Sequence, residues 1–154
     1  MKTIVFACDH TGLELKQVLL DHVSGKGYKC IDLGCYDTTS VDYPVYGYKA
    51  AKAIQDGICE RGIIICGTGV GISLAANKVK GIRAAVCSEP YTAKLSRAHN
   101  NSNMLAMGAR VVAKELAMMI VDTWLETEFE GDRHAVRVDM IREIEETGKL
   151  KAAE

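Results

Sequence analysis

Short apolar runs alternate along this chain with longer stretches in which apolar residues recur every three or four positions. The short runs, Thr3–Cys8, Tyr28–Leu33, Gly62–Cys66, Ile82–Cys87 and Asn103–Met107, have the length and continuity of strands buried on both faces. Between them, Leu15, Val18, Leu19, His22 and Val23 fall at i, i+3, i+4, i+7 and i+8, and Ile72, Ala75, Ala76 and Val79 repeat the first four of those positions. Both stretches predict helices with one face on a sheet. After the fifth run, Lys114–Phe129 carries Leu116, Met119, Ile120 and Trp124 on one face, and a further helix is expected from about His134 to Thr147. The tail from Lys149 to Glu154 reads as frayed.

Local signals agree with this alternation. Thr11-Gly12-Leu13-Glu14 has the form of a capping box, and Pro44 and Pro90 stand where a helix could have its first turn. Strand and helix in alternation predict β-α-β units: an α/β fold with a five-stranded parallel sheet covered on both faces. No linker, repeat or low-complexity segment interrupts it, so residues 1–154 are expected to form one domain. In such sheets ligands bind beyond the carboxyl ends of the strands, near the point where strand order reverses.

Composition narrows the partner. With 48% hydrophobic and 25% charged residues, 154 residues suffice for one ordinary core. A net charge of −1 provides no global field for nucleic acid or an anionic membrane, so an anion must be met by a local cluster and the partner is expected to be small. No run is long enough to span a bilayer, and Met1–Phe6 enters a strand rather than a targeting segment. The six cysteines, Cys8, Cys30, Cys35, Cys59, Cys66 and Cys87, contain no Cys-x-x-Cys pair and read as reduced thiols of a cytoplasmic protein. His10, His22, His99 and His134 show no zinc spacing, and neither a metal nor a cofactor is expected.

Three strands end in chemistry on one rim: Cys8-Asp9-His10, Cys66-Gly67-Thr68-Gly69-Val70-Gly71 and Cys87-Ser88-Glu89-Pro90. Three glycines in five residues let backbone N–H groups approach an anion at a helix start, or else serve a tight, closely packed turn. A dinucleotide fingerprint fails, because its third glycine falls at Ile72, although Glu89 stands where that motif has its ribose-binding acid. Cys66 is either a small buried hydrophobe or a base whose anion the glycine amides stabilise. Thr68 either orients the thiol or a substrate oxygen, or caps a helix. His99 precedes the polar run Asn100-Asn101-Ser102-Asn103 and can be a solvated helix end. Arg133 and Arg137, four apart beside His134, oppose a helix N-terminus unless they grip a phosphate or pair with Glu130 or Asp132.

Taken together, these segments resemble the ribose-5-phosphate isomerase B family, which also contains allose- and galactose-6-phosphate isomerases. The resemblance spans nearly the whole chain, through Cys8-Asp9-His10, Asp42-Tyr43-Pro44, Ile65 to Ser73, Ala75 to Lys78, Gly81 to Ala84, Cys87 to Tyr91, His99-Asn100, Asn103, Gly108 to Arg110 and Arg133-His134. It implies a three-layer α/β/α, Rossmann-like fold whose extended C-terminal helix reaches a neighbouring subunit. It further implies aldose-ketose isomerisation of D-ribose 5-phosphate and D-ribulose 5-phosphate through an enediolate, without a cofactor. Cys66 is then the base, Asp9 and His99 help to open the sugar ring, and Thr68 sits near the transferring centre. The amides of Gly67, Thr68, Gly69, Val70 and Gly71 hold the enediolate oxygen. His10, Arg133 and Arg137 bind phosphate, while Tyr43, Asn100, Arg110 and His134 line the cleft. Some relatives use a glutamate base, whereas Gly71 and Ile72 follow the turn here and Cys66 is kept. The implied assembly is a homodimer, often a dimer of dimers, with both subunits in each active site. A hexose 6-phosphate such as allose 6-phosphate is the rival substrate, and a non-catalytic sugar-phosphate-binding module is the rival of another class.

Overall fold

The computed structural model describes residues 2–153. In chain order the elements are β1 (Thr3–Cys8), a 3-10 turn (His10–Gly12), α1 (Leu13–Gly25), β2 (Lys29–Asp32), α2 (Tyr43–Gln55), β3 (Arg61–Cys66) and α3 (Val70–Ala76). They continue as β4 (Ala84–Val86), α4 (Pro90–Ala98), β5 (Met104–Gly108), α5 (Lys114–Glu126), α6 (Asp132–Thr147) and a last 3-10 turn (Lys151–Ala153). All strand pairs are parallel, in the order β2-β1-β3-β5-β4.

Alternation along the strands divides the core in two. Ile4, Phe6, Ile63, Ile65, Leu105 and Met107 face α1, α4 and α5, whereas Val5, Ala7, Ile64, Cys66, Met104 and Ala106 face α2 and α3. Burial on both faces is why the strands read as unbroken apolar runs. The small residues Ala50, Ala51 and Ala53 of α2, all buried, let that helix approach β1 and β3 closely.

Several local expectations are corrected. The capping box at Thr11 does not form: Asp9 caps the 3-10 turn, accepting from the Thr11 amide, and α1 begins at Leu13 with Gly12 as an N-cap that offers no side chain. α3 stops at Ala76, because the Asn77 side chain pairs with both backbone groups of Ala84 and pins the start of β4. On α5 the buried face is Ala117, Ile120, Val121, Trp124 and Leu125, leaving Leu116 and Met119 exposed. Trp124 fixes that rotation: its indole N–H donates to Ser102 Oγ at 2.9 Å, and the buried guanidiniums of Arg61 and Arg97 lie over its ring. Both prolines sit in a first helical turn as expected, at the starts of α2 and α4. Glu89 caps α4 through the Thr92 amide, which gives that acid a structural role. No helix among the described residues is long and apolar enough to cross a membrane.

Candidate active site

β2 lies on one side of β1 and β3 on the other, so the chain leaves the ends of β1 and β3 in opposite directions and a crevice opens between them. The cavity there measures ≈ 530 Å³. The end of β1 supplies Asp9, His10 and Thr11; the end of β3 supplies Cys66, Gly67 and Thr68. Val70, Gly71 and Leu74 come from α3, Tyr43 from the start of α2, and Arg110 from beyond β5.

Asp9 is held from both ends. Its amide donates to the Ile65 carbonyl of the neighbouring strand (3.1 Å), and its Oδ1 accepts from the amide and hydroxyl of Thr11 at 2.9 and 2.6 Å. That Asx-type turn uses one carboxylate oxygen and leaves the other for the cleft. His10 Nδ1 accepts the Val41 N–H at 3.1 Å, which places the proton of a neutral imidazole on Nε2, ready to donate to a ligand.

The glycine turn resolves into distinct duties. Gly69 adopts φ +81°, and a Cβ there would come within 2.8 Å of the Met107 backbone, so this glycine serves turn geometry and close packing on β5. Its amide donates to Cys66 Sγ at 3.2 Å. Thr68 Oγ1 accepts the Val70 N–H at 3.3 Å, so the capping and cleft roles coexist in one residue. The amides of Gly67, Thr68 and Gly71 have no acceptor among the described residues. α3 has only seven residues, so the donors available to an anion are these amides rather than a long helix dipole. The amides of Ala109 and Arg110 donate to the carbonyls of Cys66 and Gly67, stitching β5 to the turn and setting Arg110 beside Gly67.

Gly71 makes room for Tyr43: a Cβ at that position would lie 2.5 Å from Tyr43 Cζ. Alanine is the better helix former by roughly 0.5–1 kcal/mol, so Gly71→Ala should keep its thermal stability while displacing the Tyr43 ring from the cleft. KM should rise in steady-state assays of this variant. An unchanged KM would remove Tyr43 from the substrate contacts.

Burial pushes Cys8 up to about 12, against the nearby Lys16 ammonium, and Cys59 and Cys87 up to about 11; Cys30 is raised as well. These four remain protonated packing residues. Cys66 is the cysteine that lines the cavity.

Six expected site residues lie outside this cavity: Gly69, whose amide is turned to Cys66 Sγ, and His99, Asn100, Arg133, His134 and Arg137. His99 caps the C-terminus of α4, and its ring stacks on that of His134 with centroids 4.0 Å apart and 8° between planes. Glu130 Oε2 stands 3.4 Å from His134 Nε2 and 3.8 Å from His99 Nε2. Burial, with the positive charge of His99 and Arg133, holds His134 below the usual histidine range, against the pull of Glu130. Asn100 lines a separate groove with Arg83 and Ile141. Arg133 and Arg137 are exposed on α6 and have no carboxylate partner among the described residues; Glu130 pairs with the histidines instead.

Sequence reasoning missed Thr11, Leu74 and Lys16. Thr11 follows Asp9 at Asx-turn spacing, and Leu74 follows Val70 by one helical turn, so both carried a usable signal. Lys16, 1% exposed, pairs with Asp32 and the Cys35 carbonyl at 2.6 Å each, behind the β1 end of the cleft. A lysine inside an amphipathic stretch gives no sign of burial.

Comparison with known proteins bears on this arrangement directly. A family model described as ribose/galactose isomerase matches residues 4–141. The chain belongs to that family. Among its members, ribose-5-phosphate isomerase B of Escherichia coli K12 is 53% identical over 146 residues, spanning 95% of this chain and 98% of the relative. The structure of the isomerase B of Clostridium thermocellum superposes with a TM-score of 0.94 at 54% identity, covering 96% of this chain and 99% of that one. A further family structure, from Mycoplasma genitalium, holds ribulose-5-phosphate; it is 41% identical, with a TM-score of 0.89 over 94% of this chain and 97% of its own. The sheet with helices on both faces is thus the three-layer, Rossmann-like fold of this isomerase family.

Proposed function

We propose that this chain interconverts D-ribose 5-phosphate and D-ribulose 5-phosphate by proton transfer through an enediolate. One observation carries the mechanism: a cysteine sulfur in the cleft where strand order reverses, with an amide donating to it and further amides free beside it. The Cys66 thiolate takes the C2 proton of the open-chain aldose and the resulting thiol returns it to C1. Negative charge developing on the carbonyl oxygen is met by the N–H groups of Gly67, Thr68 and Gly71, which are already fixed in place. Asp9, with one oxygen held by Thr11, exchanges a proton with the sugar hydroxyls. His10 donates from Nε2 to the phosphate, and Arg110 and Tyr43 border the sugar.

The remaining groups, His99 for ring opening and Arg133 and Arg137 for the phosphate, come from a second copy of the chain, since they line no part of their own chain's cleft. Exposed apolar residues support such an assembly: Val70 and Leu74 at the cleft, Val86 on the edge strand, and Ile141 and Ile144 on α6. We infer a homodimer or a dimer of dimers with composite sites. All six cysteines are free, the state a reducing compartment maintains, and the cytoplasm is the proposed location.

A coupled isomerase assay tests the reaction. Ribose 5-phosphate should be turned over with a kcat/KM at least about 10²-fold above unphosphorylated ribose, because each charge-assisted hydrogen bond to phosphate contributes about 1.5–3 kcal/mol. Allose 6-phosphate should be the poorer substrate. Equal values for ribose and its phosphate would sink the assignment.

A further inference from the structure

Two histidines thirty-five positions apart and one glutamate meet outside the cleft of their own chain. We propose that His99, Glu130 and His134 form a binding site for a divalent cation of the zinc class, and that its occupation arrests the isomerase by capturing His99. The second half rests on the role given to His99 above; the first half does not.

The ligand atoms of the three residues all lie within 4.8 Å of one another. Bonds of about 2.0–2.2 Å in a tetrahedral shell put neighbouring ligand atoms roughly 3.3–3.6 Å apart. Glu130 Oε2 is already 3.4 Å from His134 Nε2, and its 3.8 Å to His99 Nε2 needs only a small closure. An independent observation points the same way. His134 Nε2 is buried, has no hydrogen-bond partner among the described residues, and belongs to a side chain only 8% exposed. A buried ring nitrogen that makes no hydrogen bond, although Glu130 Oε2 stands 3.4 Å away, is uncommon in a folded protein, and a cation between the two would satisfy both.

The backbone holds the three together. The Glu130 amide donates to the Ala98 carbonyl at 3.0 Å, which ties the approach to α6 to the residue before His99. The His134 amide donates to Gly131 at 2.9 Å, closing the turn between the other two ligands. Two imidazoles and one carboxylate leave a fourth position open, as in exchangeable zinc sites rather than closed structural ones. Stacked rings do not aim their lone pairs at a common point, so they must splay on binding; His99, with a side chain one-third exposed, is the ring with freedom to turn. That rotation is what would remove it from the sugar. Arg133 and Arg137 add positive charge nearby, so occupation should be reversible by a chelator.

Cobalt(II) and zinc(II), titrated into the intact protein, are the probes. One equivalent per chain should bind, with the cobalt spectrum free of sulfur-to-metal charge transfer. Glu130→Gln and His134→Gln should each weaken binding by at least about tenfold, since loss of even a supporting group costs a metal site that much, whereas Cys66→Ser should bind like the parent. Zinc should inhibit the parent enzyme and a chelator should restore it. Glu130→Gln should stay active and lose its zinc sensitivity. Binding that disappears with Cys66→Ser, or that Glu130→Gln leaves unchanged, overturns the site. Tight binding at these residues without inhibition overturns the regulatory role. A parent inactive on ribose 5-phosphate refutes the isomerase reading and leaves the binding result standing.

Discussion

Replacing Cys66 by serine is expected to lower kcat by about 10²- to 10⁴-fold, the usual contribution of a general acid-base group, while KM changes little. The substitution is nearly isosteric, and a hydroxyl oxygen can still accept the Gly69 N–H that now meets the sulfur at 3.2 Å. The turn should therefore keep its shape and the protein its thermal stability. A hydroxyl is a far weaker acid than a thiol, so the loss should fall on proton abstraction rather than on binding. Substrate C2-proton exchange with deuterated solvent should vanish together with turnover. If the variant folds normally and keeps near-parental kcat, Cys66 is a packing residue of the sheet's α2-α3 face, where it is 4% exposed, and the base must be sought at Asp9 or His99.

A hetero-oligomer built from two inactive chains is expected to regain about half the parental activity, because a two-fold interface would pair one intact Cys66 cleft with one intact His99. The experiment coexpresses Cys66→Ser and His99→Asn chains carrying different tags and purifies the species that holds both. In a composite arrangement one of its two sites lacks both groups and the other lacks neither. Were each site built within one chain, every site would carry one defect and the mixed species would be as inactive as its parents. Light scattering on the same sample supplies the assembly: a mass of one chain with full activity would refute composite sites outright. The expectation follows from the distribution of the site residues, with Asp9, His10, Tyr43, Cys66 and Arg110 in one cavity and His99, Arg133 and Arg137 away from it.

Much of this protein is written locally in its sequence. The strands at Thr3–Cys8 and Arg61–Cys66 follow from unbroken apolar runs, and the starts of α2 and α4 follow from Pro44 and Pro90. The motif ends Asp9-His10 and Cys66 to Gly71 could be assigned to one rim because parallel strands point the same way. Such features depend on neighbours in the chain, through backbone preference, side-chain period and the fixed direction of a crossover.

What sequence could not decide depends on groups distant in the chain. The face of α5 is set by Trp124 meeting Ser102, Arg61 and Arg97, so a pattern that fitted Leu116 and Met119 equally well was turned toward Ala117 and Val121. Lys16 is buried because Asp32 and the Cys35 carbonyl come from another strand end to receive it. Gly69 serves packing on β5, while Gly71 clears space for Tyr43 of α2, a division no run of glycines announces. The separation of His99 and His134 from the Cys66 cleft, and their meeting with Glu130, arise because a loop bonds back to α4 through Ala98. Sequence thus determined the fold class and the chemistry of the rim, since those follow from short-range forces. Tertiary structure alone decided which of those groups share a cavity, because side-chain partners are chosen by packing and desolvation once the chain has closed on itself.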